Sequence, residues 1–141
     1  MCRRVLGAWG IARLGARLDR RFEELFADLG LKKTISNNIA FYWNSSQSPE
    51  EYKLYRLPAD DATRRNMEDI CSEEIANAIR HVLASQVSIL KPDLIREVYK
   101  IFGFSRGSTS IEGIICTGLE EAIKRNYVVF DHGTDRVIIK E

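Results

Sequence analysis

The spacing of apolar residues changes in the second half of this chain, and that change limits the folds open to it. Ile75, Ile79, Val82 and Leu83 recur at helical spacing, and so do Leu94, Val98, Ile101 and Phe102. Ile111, Ile115, Leu119, Ala122 and Ile123 mark a third helical face. After that the period shortens. Residues 127–130 (YVVF) and 137–139 (VII) read as two short strands on either side of the turn-forming DHGTDR. The punctuation agrees with this order of helix, helix, helix, hairpin. Ser72 is the expected N-cap of the first helix, with Glu73 and Glu74 at the positive end of its dipole. Pro92 suits the first turn of the second helix, and Gly103 its C-terminal stop. Thr109 followed by Glu112 has the spacing of a capping box for the third.

Part of this pattern occurs twice. Residues 101–111 read IFGFSRGSTSI and residues 8–18 read AWGIARLGARL. A shift of 93 places Arg3 on Arg96, Val5 on Val98, Gly10 on Gly103 and Arg13 on Arg106. Leu18 then falls on Ile111 and Phe22 on Ile115. About three residues are dropped further on, after which Leu31 matches Tyr127, and residues 34–43 (TISNNIAFYW) take the place of the hairpin. We therefore expect an α+β, mostly helical chain of tandem winged-helix-like units. Residues 1–43 form an incomplete unit, 44–70 a polar, acidic linker interrupted by Pro49 and Pro58, and 71–141 a complete unit. The first unit lacks its leading helix, which suggests a piece of a longer protein. It would leave Val5, Leu6 and Trp9 as an apolar stripe for a protein partner.

In a winged helix the second and third helices form a helix-turn-helix, whose third helix commonly enters a DNA groove. The repeated stretch is then the joint between them. Arg106 stands at the mouth of the third helix, where backbone N–H groups favour anions, and Ser108, Thr109 and Ser110 could complete a phosphate clamp. The first unit offers Arg13, Arg17, Arg20 and Arg21 along the matching helix, with Lys32 and Lys33 at the start of its wing. Charge divides in the same sense: residues 1–43 carry a net +4, 44–70 a net −2 and 71–141 a net −1. Two observations oppose DNA contact by the second unit. Ser108 and Thr109 are ordinary helix-capping residue types, and Glu112, Glu120 and Glu121 would repel phosphates.

Other chemistry finds little support. The formal net charge is +1, so the chain as a whole makes no electrostatic case for nucleic acid. Cys2, Cys71 and Cys116 lie far apart and in odd number, which points to reduced thiols in a cytoplasmic setting. With only His81 and His132 beside them, no metal cluster or cofactor is expected. No apolar run approaches the roughly 18 residues of a bilayer span. No phosphate-binding loop, zinc-protease or serine-hydrolase motif occurs, so no catalytic residue is assigned and the chain is not expected to be an enzyme.

Several stretches together resemble a known domain. They are Arg56-Leu57-Pro58, Arg64 and Arg65, Ile70, Ser72-Glu73-Glu74-Ile75-Ala76-Asn77-Ala78-Ile79, Leu94-Ile95-Arg96-Glu97-Val98, Phe102-Gly103-Phe104, and Arg106 through Ile111. With residues 10–18, they look like a domain of unknown function at the C-terminal end of large superfamily I helicase-like AAA-ATPase proteins. The resemblance spans residues 3–141. It implies a non-catalytic accessory module of a DNA-processing protein, whose motor domains would precede it. Duplex or junction DNA is the first expected partner. The alternative is protein–protein docking, against those motor domains or in a homodimer. Ser110 stands where the first copy has Arg17, which weakens the DNA case for the second unit.

Overall fold

The computed structural model describes Gly10 and residues 15–140. Within them the chain is α+β, with four helices and two small antiparallel sheets. Helix α1 (Ala16–Asp28) leads into a hairpin of β1 (Lys33–Ser36) and β2 (Ile39–Tyr42). An irregular segment with two short 3-10 turns follows. Then come α2 (Ser72–Ala84), β3 (Ser88–Leu90), α3 (Lys91–Ile101), α4 (Thr109–Lys124), β4 (Val128–Asp131) and β5 (Arg136–Ile139).

The second sheet has the order β3-β5-β4. Strand β3 is not legible in the sequence, because three residues are too few to show a period. It becomes a strand by pairing Ile89 with Val137, 48 positions on. Helix α2 is the spine of the core. Ile75, Ala76, Ala78, Ile79 and Leu83 are almost wholly buried, against Leu94, Val98 and Phe102 of the next helix and its end, Ile115 and Leu119 of α4, and Val128 and Val137 of the wing strands. Burial of each large side chain contributes about 1.5–3 kcal/mol. Gly118 lets α2 and α4 approach closely, since a Cβ there would collide with the Ile75 side chain.

Two helix starts differ from expectation. Ser108, not Thr109, caps α4: its backbone is extended, and its Oγ accepts from the Ile111 N–H at 3.3 Å. Ser72 is already inside α2, and Cys71 before it has no side-chain cap. The missing acceptor comes from another element. Ser36 Oγ, at the end of β1, accepts from the Ser72 N–H at 3.2 Å and lies 2.8 Å from Ser72 Oγ. Gly103 does end the α3 turn as expected, with φ +84°.

The first hairpin turns through Asn37 and Asn38, both at positive φ, as a two-residue turn between right-twisted strands requires. Its tip reaches the second unit: besides the Ser36 contact, Thr117 Oγ1 donates to Asn37 Oδ1 at 3.0 Å. Trp43 is buried, donates from Nε1 to Thr34 Oγ1, and meets Tyr52 edge-on. Residues 44–70, read from sequence as a linker, pack against residues 71–140. Met67 and Ile70 enter the core. Asn77 Nδ2 donates to the Tyr52 and Leu54 carbonyls, and Arg125 to those of Pro49 and Tyr52. Irregular backbone has carbonyls without ladder partners, and these side chains satisfy them.

Candidate nucleic-acid interface

The predicted phosphate ligands fall in two places. Arg17, Arg20 and Arg21 lie on the first turns of α1 and Lys32 and Lys33 at the start of β1, all exposed. Arg106, Ser108, Thr109 and Ser110 lie exposed at the mouth of α4. No hydrogen bond or ion pair among the described residues joins the two groups. Arg13, and the apolar Val5, Leu6 and Trp9, lie outside the described residues. At the mouth of α4 the hydroxyl of Ser108 is engaged as the cap. Glu112 shares that site, its Oε1 3.6 Å from where a Cβ on Gly107 would stand. A carboxylate there competes with any phosphate.

The basic side chains divide by what holds them. Arg56 and Arg65 grip Glu74, and Arg125 pairs with Glu121. Arg64 donates to the Gly103 carbonyl and lies over the Phe104 ring, and Arg136 donates to Ser88. Arg80 and Lys91 lie over the rings of Tyr127 and Phe130, and Lys140 reaches Asn126. Arg96, Lys100, Lys124 and Arg21 pair with carboxylates one helical turn away. Among the described residues, Arg17, Arg20, Lys32, Lys33, Lys53 and Arg106 have no such partner. Five of these six are predicted phosphate ligands.

The best-built polar constellation is one the sequence did not announce as a unit. Glu74, 1 % exposed, accepts from Arg65 Nη1 and Nη2 at 2.8 Å each, from Arg56 Nη2 at 2.6 Å and from the Arg56 backbone N–H at 3.0 Å. Burial by itself would push its carboxyl up. The hydrogen bonds from Arg65 and Arg56 outweigh it and hold the carboxyl at about 2. Cys71 beside it is pushed up to about 12, chiefly by burial, which leaves an inert thiol. In sequence Glu74 reads as a dipole partner in a helix's first turn, and Arg56 and Arg65 stand among the stretches of the resemblance, but nothing joins the three. The clamp is structural: it ties the segment after residue 55 to α2. A cleft of about 460 Å³ lies beside it, lined by Arg56, Arg64 and Arg65, each of which also donates to Glu74 or to the Gly103 carbonyl.

The outward side of α4 has a different character. Cys116, Ile123, Val129 and Phe130 line a cleft of about 510 Å³ between α4 and the wing, together with the charged Lys91, Glu120 and Lys140. Among the described residues, no group of three or more His, Cys, Asp or Glu is placed to hold a metal ion, and no helix is long and apolar enough to cross a membrane. Comparison with protein-family models, with curated proteins and with solved structures finds no match for this chain.

Proposed function

We propose that the chain is a non-catalytic accessory module of a larger, helicase-like DNA-processing protein, built of paired winged-helix-like units, which holds duplex or junction DNA by phosphate contacts. The observation that carries this is the division of the basic side chains: Arg17, Arg20, Lys32, Lys33 and Arg106 are exposed and uncommitted among the described residues, whereas nearly every other described Arg or Lys is occupied. Such side chains gain most by neutralising phosphates and releasing counterions.

The pairing of units has its own support. Helices α1 and α4 begin 93 residues apart, as do Gly10 and Gly103, both at positive φ. Each helix is followed by a positive-φ residue, Gly30 and Asn126, and then by a hairpin. The order helix, strand, helix, helix, hairpin is compatible with a winged helix, and the resemblance to helicase tails supplies the context. Binding of a fluorescent duplex, followed by anisotropy, tests the reading. With five contacts, log K should fall with log salt at a slope of about −4 to −5. Arg17→Ala, Arg20→Ala and Arg106→Ala should each reduce that slope by about one. A duplex that does not bind at low salt overturns it.

The cleft between α4 and the wing, with Ile123, Val129 and Phe130 beside Glu120, favours a second reading, in which α4 docks against a neighbouring protein domain. If α4 faces phosphate, Glu112→Gln and Glu120→Gln tighten DNA binding. If it docks, both leave DNA affinity unchanged.

A further inference from the structure

We infer that α1 is a dimerisation helix, which pairs antiparallel with α1 of a second copy of this chain. The starting observation is a difference between matched helices. Helix α4 buries Ile114, Ile115, Gly118, Leu119 and Ala122, largely beneath α2. The residues 93 places earlier are Arg21, Phe22, Leu25, Phe26 and Leu29, and α1 buries none of its residues. Leu18 is 37 % exposed, Leu25 41 % and Leu29 66 %. A 13-residue helix is marginal on propensity alone and takes its stability from packing an apolar face. The first hairpin covers one flank of α1, where Phe26 meets Tyr42 at 4.4 Å between ring centroids. Phe22 is half-buried beside Phe26, and Leu18, Leu25 and Leu29 are exposed.

The pattern of that face specifies its occupant. Leu18, Phe22, Leu25 and Leu29 are spaced 4, 3 and 4 residues apart, the alternating seam of a two-stranded coiled coil. One edge of the seam carries Arg21 and, seven places on, Asp28. With a two-fold axis between Phe22 and Leu25, each Leu18 layers against Leu29 of the other copy and each Phe22 against Leu25. Arg21 of each copy then flanks Asp28 of the other. This surface is therefore complementary to itself in shape and in charge, as an isologous interface must be. Arg17 and Arg20 lie away from the seam, so the dimer leaves both available to phosphate.

Sedimentation velocity over a rising concentration series tests the inference. The 16.1 kDa chain is expected to approach twice that mass. Leu25→Glu, at an exposed position that disturbs no core, is expected to abolish the larger species, with near-ultraviolet circular dichroism confirming an intact second unit. Arg21→Asp and Asp28→Arg are each expected to weaken the dimer several-fold, and the double exchange to restore it. The exchange does not rebuild the intrahelical Arg21–Glu24 pair, so rescue reports the contact between copies. A monomer at every concentration, a dimer indifferent to Leu25→Glu, or a double exchange no better than the single ones overturns the inference. The salt-dependent DNA titration reads the phosphate proposal separately, so either can fail alone.

Discussion

Helices α1 and α4 each begin six residues after a glycine at positive φ, yet they end in opposite circumstances. Helix α4 has α2 packed along its apolar face. Helix α1 has an apolar face that, among the described residues, meets only the edge of a hairpin. The arginines follow the same division. In residues 44–140 all but Arg106 are held in ion pairs, over rings or by hydrogen bonds. On α1, Arg17 and Arg20 have no partner among the described residues. A helix's apolar stripe states what it needs, and the neighbouring element decides whether the need is met within the chain. Surface left open, apolar or basic, is where function is to be sought.

The sharpest way to break the comparison is to remove what closes the second unit. Glu74→Gln leaves Arg56 and Arg65 facing a neutral amide and is expected to cost about 3 kcal/mol in urea unfolding, since water reaches both guanidinium groups. The same group predicts an acid response. Its carboxyl sits at about 2 when folded, against an ordinary 4.5. A lowered value means that the stabilisation is complete above about 4.5 and fades as pH falls toward 2. Glu74→Gln should lose that part of the pH dependence.

Gly118→Ala attacks the same closure from the other side. Its Cβ would collide with Ile75, and separating α2 from α4 should cost about 3 kcal/mol. No substitution on α1 should cost as much in dilute protein. The two stop glycines sharpen the contrast. Gly103→Ala suffers both its φ of +84° and contact with Pro58 Cγ at 3.0 Å, and should cost about 2 kcal/mol. Gly10 has a φ of +71°, and a Cβ there would meet nothing within 4 Å, so Gly10→Ala should cost about 1 kcal/mol or less. The smallest effect is chemical. Under native conditions Cys71 should resist alkylation while the less buried Cys116 reacts, as mass mapping of the modified chain would show.

Much of the second unit was legible in sequence. Leu94 and Val98, or Ile115 and Leu119, stand at helical spacing, and that spacing survives folding because each helix turns one face inward. Gly103 was legible because a helix stop at positive φ favours one residue type. The candidate site was less so. Exposed arginines could be named, but whether Arg64 or Arg17 was free could not, since that depends on a carbonyl or ring distant in sequence. Residues 44–70 read as a linker because their polarity and prolines conceal Met67 and Ile70. Ser36 gave no sign that it would cap α2.

By itself, the sequence determined the three helical faces of residues 72–123, the closing hairpin, the stop at Gly103 and the places where basic charge gathers. These are local properties, carried by period, backbone conformation and composition. Tertiary structure alone decided that β3 exists, that Glu74 is held by Arg56 and Arg65, and that Ser36 caps α2 across 36 residues. Each of those depends on a partner far along the chain, and a pairing energy between distant residues leaves no periodic trace in either one.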